Sequence, residues 1–170
     1  MKLLKNTGKN CPKKRNEFSD GCKRRWEKLS DEEKSKILSR LHHVTVSSIE
    51  GRVNNILLKW GLEYTHSFYL KFKQFDFRIG KILLEVNGDF YHANPDKYKH
   101  NDMLPFPFGN KILAQELWNR DLKKKNMAEK MGYFVVYVWE NEIRRCNDEE
   151  LEKLVAEKLL LTEDLSCLIK

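Results

Sequence analysis

A short apolar run at residues 82–86 constrains the fold of this chain more than any other feature. It reads Ile-Leu-Leu-Glu-Val, so a strand built from it is apolar on both faces apart from Glu85. Such a strand belongs in the middle of a sheet that other elements cover on both sides. The run therefore predicts an α/β fold with a carboxylate in its central strand, and that carboxylate needs a physical reason.

A tight turn joins this run to the strand before it. The turn residues are Gly80 and Lys81, and glycine at the first central position is typical of a two-residue type II′ hairpin. This register places Asp76 opposite Glu85, with Cβ atoms about 5 Å apart on one face, and Asn87 emerges on the same face. Two opposed buried acids repel, and a divalent cation with oxygen ligands is a natural partner. A register slipped by one residue would instead turn one acid to solvent.

The other periodicities predict elements in the order α, α, β, β, β, α, β, α. Ser30 and Glu33 form a capping box before the first helix, and Glu50 lies in the first turn of the second, beside its apolar stripe. About 20 residues after the third strand contain several prolines and little regular structure, as in functional or mobile loops. We expect helices over residues 31–41, 48–60, 111–131 and 148–161, and strands over 64–72, 74–79, 82–86 and 133–139.

These elements predict one α/β domain, residues 46–170, with a mixed and roughly four-stranded sheet flanked by helices. The step from strand 82–86 through the long helix to strand 133–139 implies a parallel pair joined by a right-handed crossover. In the strand before the hairpin, Phe75, Phe77 and Ile79 alternate with polar residues and should share one face.

The positive charge of the chain is concentrated at its start. Residues 1–41 contain 13 Lys/Arg and 6 Asp/Glu, whereas the rest contains 19 of each, so the net charge of +7 lies in the first quarter. A basic extension, residues 1–45, on a neutral body favours binding to a polyanion such as DNA through phosphate contacts. A solvated, partly disordered tail is the alternative, and residues 1–25 show little apolar periodicity.

Other classes of protein are disfavoured. No stretch approaches the roughly 20 apolar residues that span a membrane, so no membrane partner is expected. Met1 is followed by a Lys-rich polar segment, which favours a cytoplasmic, intracellular location. The four cysteines have neither disulfide-framework nor zinc-knuckle spacing, and we expect free thiols (Cys11, Cys22, Cys146 and Cys167).

The order of several motifs resembles a known group of nucleases. Asp76 followed by Glu85-Val86-Asn87 resembles the PD-(D/E)xK core, with Asn87 where that pattern has Lys. The later motifs Gly-Asp-Phe-Tyr-His at 88–92, Asn-Arg-Asp at 119–121 and the run at 132–140 that ends in Val-Trp-Glu are similar to very short patch repair (Vsr-like) endonucleases. They also resemble the EDxHD-type homing endonucleases, some phage-encoded, which share a restriction-endonuclease-like fold. The resemblance covers residues 47–143.

This resemblance implies a metal centre of Mg²⁺ or Mn²⁺. Asp76 corresponds to the metal-bridging acid, and Val86 falls where a backbone carbonyl also binds metal. Glu85 would be the second carboxylate ligand. Asn87, in the place of Lys, can only hydrogen-bond water or phosphate.

The resemblance also implies three further site residues, each with an ordinary alternative. His92 matches the catalytic His and has a pKa suited to acid–base work, or it contacts phosphate. Glu50 matches a Glu near the site water, or it is an ordinary first-turn glutamate favoured by the helix dipole. Asp121 matches the acid of the Arg-Asp step, or it is a solvated helix residue. The run Lys123-Lys124-Lys125 is read as a solvated face able to touch phosphate.

The expected function is therefore metal-dependent cleavage of DNA, by a monomer or weak dimer. Two cysteine positions of the structural zinc in the repair enzymes fall on Asp89 and Asn141, so zinc is not expected. The repair enzymes also lack an acid at the Glu85 position, which favours a homing or restriction-like role over mismatch repair. Two alternatives remain open: a non-catalytic nucleic-acid-binding protein on the same fold, and an RNA-processing nuclease.

Overall fold

The computed structural model describes residues 21–22, 24–41, 46–107 and 110–160. Most of the basic extension therefore lies outside the described residues, and so do Cys11 and Cys167, while Cys22 and Cys146 are free thiols. Residues 24–28 are helical, where irregular chain was expected up to residue 25. The helices are α1 (Asp31–Leu41), α2 (Ser48–Lys59), α3 (Ala114–Lys130), α4 (Glu140–Arg145) and α5 (Asp148–Leu160), and the strands are β1 (Thr65–Leu70), β2 (Lys73–Ile79), β3 (Ile82–Asn87), β4 (Met103–Pro105), β5 (Lys111–Leu113) and β6 (Phe134–Trp139).

The main sheet has four strands in the order β1-β2-β3-β6. Strands β1, β2 and β3 are antiparallel neighbours, and β3 pairs with β6 in parallel. The mixed α/β architecture, the central position of β3 and the parallel crossover through α3 are thus confirmed. Every residue of β3 is buried, including Glu85 and Asn87.

Two apolar layers cover the two sides of this sheet. On one side, residues of α2 and α5 pack on Ile82, Leu84 and Val86 of β3. On the other side, Ala128 and Met127 of α3 pack with Leu83. None of the helices among the described residues is both long and apolar enough to cross a membrane.

Strand β2 changes the side of the sheet that it presents between Phe75 and Phe77. Phe77 and Ile79 pack in the layer of α2 and α5, whereas Phe75 packs with Leu83 in the layer of α3. The neighbouring strand changes sides too, because Ser67 has a φ of 56° in the middle of β1. The expectation that Phe75, Phe77 and Ile79 share one face was therefore wrong. Asp76 lies at the point where the strand changes sides.

The segment between β3 and α3 is more regular than expected. Strands β4 and β5 form an antiparallel hairpin within it, so the helix predicted from residue 111 begins at Ala114. The segment also has a core of its own, in which Ala93 and Leu104 are buried. The Nε1 of Trp118 on α3 donates to the carbonyl of Ala93 at 2.7 Å and fixes the start of the segment to the helix.

Candidate active site

The first element of the candidate site is the hairpin that carries Asp76. Its observed pairs near the turn, such as Phe77 with Leu84, follow the predicted register, and Gly80 has the required positive φ of 55°. The ladder ends there, so the predicted pair of Asp76 with Glu85 is not part of it, and the Oδ2 of Asp76 instead accepts the backbone N–H of Val86 at 2.7 Å. The Asp76 carboxylate, and not a backbone carbonyl, thus accepts this hydrogen bond at the point where β2 changes sides. Burial raises the pKa of Asp76, and the charge of Glu50 raises it further, against that backbone hydrogen bond.

Glu85 is a nearly fully buried carboxylate on β3. The Nζ of Lys124 from α3 forms an ion pair with its Oε1, and the same Nζ lies 4.3 Å from the centre of the Phe75 ring. Burial nevertheless raises the pKa of Glu85 to about 7, because the favourable charge of Lys124 does not offset the loss of hydration and the nearby Asp76 opposes ionisation. The Lys124 side chain is only 21% exposed, so the reading of the whole lysine run as a solvated face was wrong at this position.

His92 lies beyond the end of β3 and is held by Asp121. Its Nδ1 lies 2.7 Å from the Oδ2 of Asp121 on α3. An ionised carboxylate can only accept, so Nδ1 carries the proton and Nε2 is left as the second reactive position of the ring. The charge of His92 is one of those that favour ionisation of Asp76 and Glu85. The imidazole therefore lies near both acids.

Glu50 lies on the other side of Asp76, in the first turn of α2. It completes a capping box with Ser47, and its Oε1 lies 2.6 Å from the Nε2 of His66 on β1. The ring of His66 stacks on Phe77, with centroids 4.9 Å apart. Glu50 is thus a helix-capping acid and also a member of a second imidazole–carboxylate pair.

Asp89 anchors the loop that carries His92. Its Oδ1 accepts the side-chain amide of Asn94 at 2.7 Å and its Oδ2 pairs with the Nζ of Lys97 at 2.6 Å. The backbone N–H of Asn141 also donates to Oδ1. Burial acts to raise the pKa of Asp89, but these hydrogen bonds outweigh it and hold the pKa below its usual range. The loop from β3 is therefore tied to α4, a helix that the sequence patterns did not predict.

The described residues contain no group of three or more His, Cys, Asp or Glu side chains arranged to hold a metal ion. A cation at Asp76 and Glu85 would therefore rely on two carboxylates, a main-chain oxygen such as that of Val86, and water. That donor set fits Mg²⁺, which keeps several waters and takes one or two protein carboxylates together with substrate phosphate. The raised pKa values of Asp76 and Glu85 also fit, because a bound cation would offset the loss of hydration that mainly raises them.

Two residues of this site were missed at the level of sequence. Lys124 supplies a cation beside Glu85, whereas this chain has Asn87 at the position where the PD-(D/E)xK pattern has a lysine. The only sequence signal for Lys124 was the run of three lysines. His66 was read only as one of the alternating residues of a strand. The structure places Asn87 in the buried end of β3, next to Trp139 of β6.

The comparisons with known proteins include a similarity to a solved structure. The chain is similar in fold to a solved structure described as "Homing Endonuclease I-Bth0305I Catalytic Domain", at 19% sequence identity. The match covers 68% of this chain and 96% of that chain, with a TM-score of 0.46. No family model matches the chain, and no curated protein matches it.

Proposed function

We propose that this chain is a divalent-metal-dependent endonuclease that hydrolyses phosphodiester bonds in DNA. The observation that carries the proposal is the arrangement around Asp76 and Glu85. The buried Glu85 and the half-buried Asp76 lie near two imidazole–carboxylate pairs, His92 with Asp121 and His66 with Glu50. Raised carboxylate pKa values and imidazoles held by acids are typical of sites that move protons.

The residues of this site match the needs of phosphodiester hydrolysis. A hydrolytic site needs an oriented water, stabilisation of phosphate charge and a proton for the leaving oxygen. Glu50 is held where its carboxylate can accept a hydrogen bond from water. His92, with Nδ1 bound to Asp121, presents Nε2, which can take up a proton from solvent and then donate it to the leaving oxygen. Lys124 can stabilise phosphate charge from the helix side.

The proposed cofactor is Mg²⁺ or Mn²⁺, held by Asp76 and Glu85 with the carbonyl of Val86. When bound, such an ion lowers the pKa of its water and neutralises charge on the phosphate. The proposed substrate is DNA because the positive charge of the chain is concentrated in residues 1–41. A homing or restriction-like role, acting as a monomer or weak dimer, is the form of the proposal that the sequence resemblance favours.

The test is a cleavage assay with a matched site variant. The full chain is incubated with supercoiled plasmid, and separately with a structured RNA, in Mg²⁺, Mn²⁺ or EDTA. Asp76→Asn serves as the variant, because its amide oxygen can still accept the backbone N–H of Val86 while the negative charge is removed.

We expect plasmid nicking in Mg²⁺ or Mn²⁺, none in EDTA, and a loss on the order of 100-fold or more for Asp76→Asn. Nicking that persists in EDTA would overturn the metal dependence. Cleavage of the RNA alone would favour the RNA-processing alternative. Binding of plasmid without cleavage in any metal would favour a non-catalytic DNA-binding protein.

A further inference from the structure

His66 is a half-buried contact of Glu50 that the proposed chemistry has so far not used. The Nε2 of His66 lies 2.6 Å from Oε1 of Glu50, and the two side chains are 26% and 13% exposed. The imidazole plane is fixed a second time, because the ring stacks on Phe77 at an interplanar angle of 27°. An ionised carboxylate accepts only, so the proton of this bond belongs to Nε2.

The capping boxes of the chain provide an internal comparison for Glu50. In the boxes before α1 and α5, the reciprocal bond from the capping N–H to the glutamate Oε2 is 2.8 Å at Glu33 and 2.9 Å at Glu150. The same bond at Glu50 is 3.4 Å, between the N–H of Ser47 and Oε2. The shorter bond of Glu50 is the one to His66, so the carboxylate is displaced from its cap toward β1.

This displacement brings Glu50 toward the candidate site. His66 pairs with Phe77 across the β1–β2 ladder, and Phe77 directly follows Asp76. Glu50 is close enough to Asp76 for its charge to act on that carboxylate, in addition to burial and the Val86 hydrogen bond. A glutamate that only capped a helix would need neither an imidazole partner nor proximity to Asp76.

We propose that His66 is a positioning residue, which holds the Glu50 carboxylate in place at the site through its Nε2–H. Glu50 then accepts a hydrogen bond from the attacking water, while its cap still anchors α2. This inference rests on the proposed function and deepens it by one residue. His66 itself touches neither water nor phosphate, so its replacement changes the rate of the chemical step and leaves DNA affinity unchanged.

The test uses the geometry of the bond. Glutamine places its side-chain NH₂ at about the reach of a histidine Nε2, whereas asparagine places it at about the reach of Nδ1. His66→Gln can therefore donate to Glu50, and His66→Asn is too short. Glu33→Gln, which removes the charge of the capping glutamate of α1 but keeps an oxygen that can accept the Ser30 N–H, is the control for a substitution away from the site.

Single-turnover nicking rates at saturating protein, dissociation constants for DNA and melting temperatures are measured for each variant. We expect His66→Asn to lose about 10- to 100-fold in rate, His66→Gln to stay within about 3-fold of the parent chain, and DNA affinity to be equal for all. Glu33→Gln should nick at the parental rate. Equal rates for the asparagine and glutamine variants, whether both parental or both reduced, would overturn the positioning role.

A second readout needs neither metal nor DNA. Nitrogen-15 NMR of the imidazoles distinguishes the two tautomers, and His66 is identified from the signal that its variants lose. We expect the Nε2–H form in the parent chain and a changed Nε2 shift in Glu50→Gln. If His66 is in the Nδ1–H form and its shifts do not change in Glu50→Gln, the positioning inference is overturned and the proposed function is not affected. A parent chain that cuts no nucleic acid overturns the proposed function, and this inference with it.

Discussion

Lys124 on helix α3 forms an ion pair with Glu85, the buried carboxylate in the middle of strand β3. The sequence predicted a divalent metal ion beside the acids of the hairpin; in the structure, the charged group that contacts Glu85 is a lysine side chain. Breaking such a pair leaves a charge in the interior without compensation, and that costs more than the intact pair contributes.

Replacement of Lys124 by Met should destabilise the protein in a pH-dependent manner. Above pH 8, where Glu85 is ionised in the parent chain, we expect a loss of about 3 kcal/mol in the free energy of unfolding. Near pH 5 the acid is protonated, and the loss should nearly vanish. Lys125→Met is the matched control, because its pair with Glu129 is exposed and 3.7 Å long; it should change stability by less than about 0.5 kcal/mol at either pH. Equal effects of the two substitutions would contradict the importance of the buried pair.

Glu85→Gln should remove the pH dependence of stability that Glu85 imposes. The folded pKa of about 7 lies above the reference value of 4.5, so between those values the folded state keeps a proton that the unfolded state has lost. The stability of the parent chain should therefore fall, relative to Glu85→Gln, as pH rises through that window, by up to about 3 kcal/mol. Urea denaturation of both chains in EDTA at several pH values measures the difference. A difference that stays flat with pH would show that Glu85 titrates normally.

Two substitutions of Asp76 should differ in stability although both remove the charge. Asp76→Ala leaves the backbone N–H of Val86 without its acceptor, whereas Asp76→Asn can retain the bond. A buried N–H without a partner costs about 1–3 kcal/mol, so the alanine variant should be less stable than the asparagine variant by that amount. Thermal denaturation in EDTA tests this. Similar melting temperatures would mean that water or another group satisfies Val86.

Deletion of residues 1–20 should weaken DNA binding and its dependence on salt. This segment has six Lys/Arg and two Asp/Glu, and its removal spares α1, where Lys34 contacts the Phe72 ring at 5.6 Å. The slope of log affinity against log salt should become shallower by about 0.9 for each phosphate that the shortened chain no longer binds. Deletion of residues 161–170, which carry one Lys and two acids, is the control and should leave the slope unchanged. An unaltered slope in the first deletion would place the DNA-binding residues elsewhere.

The hairpin and the crossover could be predicted from sequence because local chemistry determines them. Gly80 specifies the turn, Ser47 and Glu50 specify a helix start, and the apolar run at 82–86 specifies a central strand. The change of sides between Phe75 and Phe77 could not be predicted, because alternation assumes an undisturbed pleat. The hairpin of β4 and β5 was missed because its strands have three residues each and one contains Pro105.

The candidate site was only partly predictable, for a different reason. The two-residue turn determines the pairs next to it, but the ladder ends at Phe77 and Leu84, before Asp76 and Glu85. The contact of Lys124 with Glu85 depends on how α3 is rotated over the sheet, and that of His66 with Glu50 on how α2 lies over β1. Such contacts between distant elements follow from packing, which no local pattern encodes.

The change of sides in β2 has a consequence for communication within the protein. Charged groups on helices that cover opposite sides of a sheet are normally kept apart by the sheet itself. Asp76 is an exception, because both Glu50 from one helix layer and Lys124 from the other act on its carboxylate. A ligand that altered the position of either helix would therefore change the pKa of Asp76 through the charge of Glu50 or Lys124, without rearranging the core.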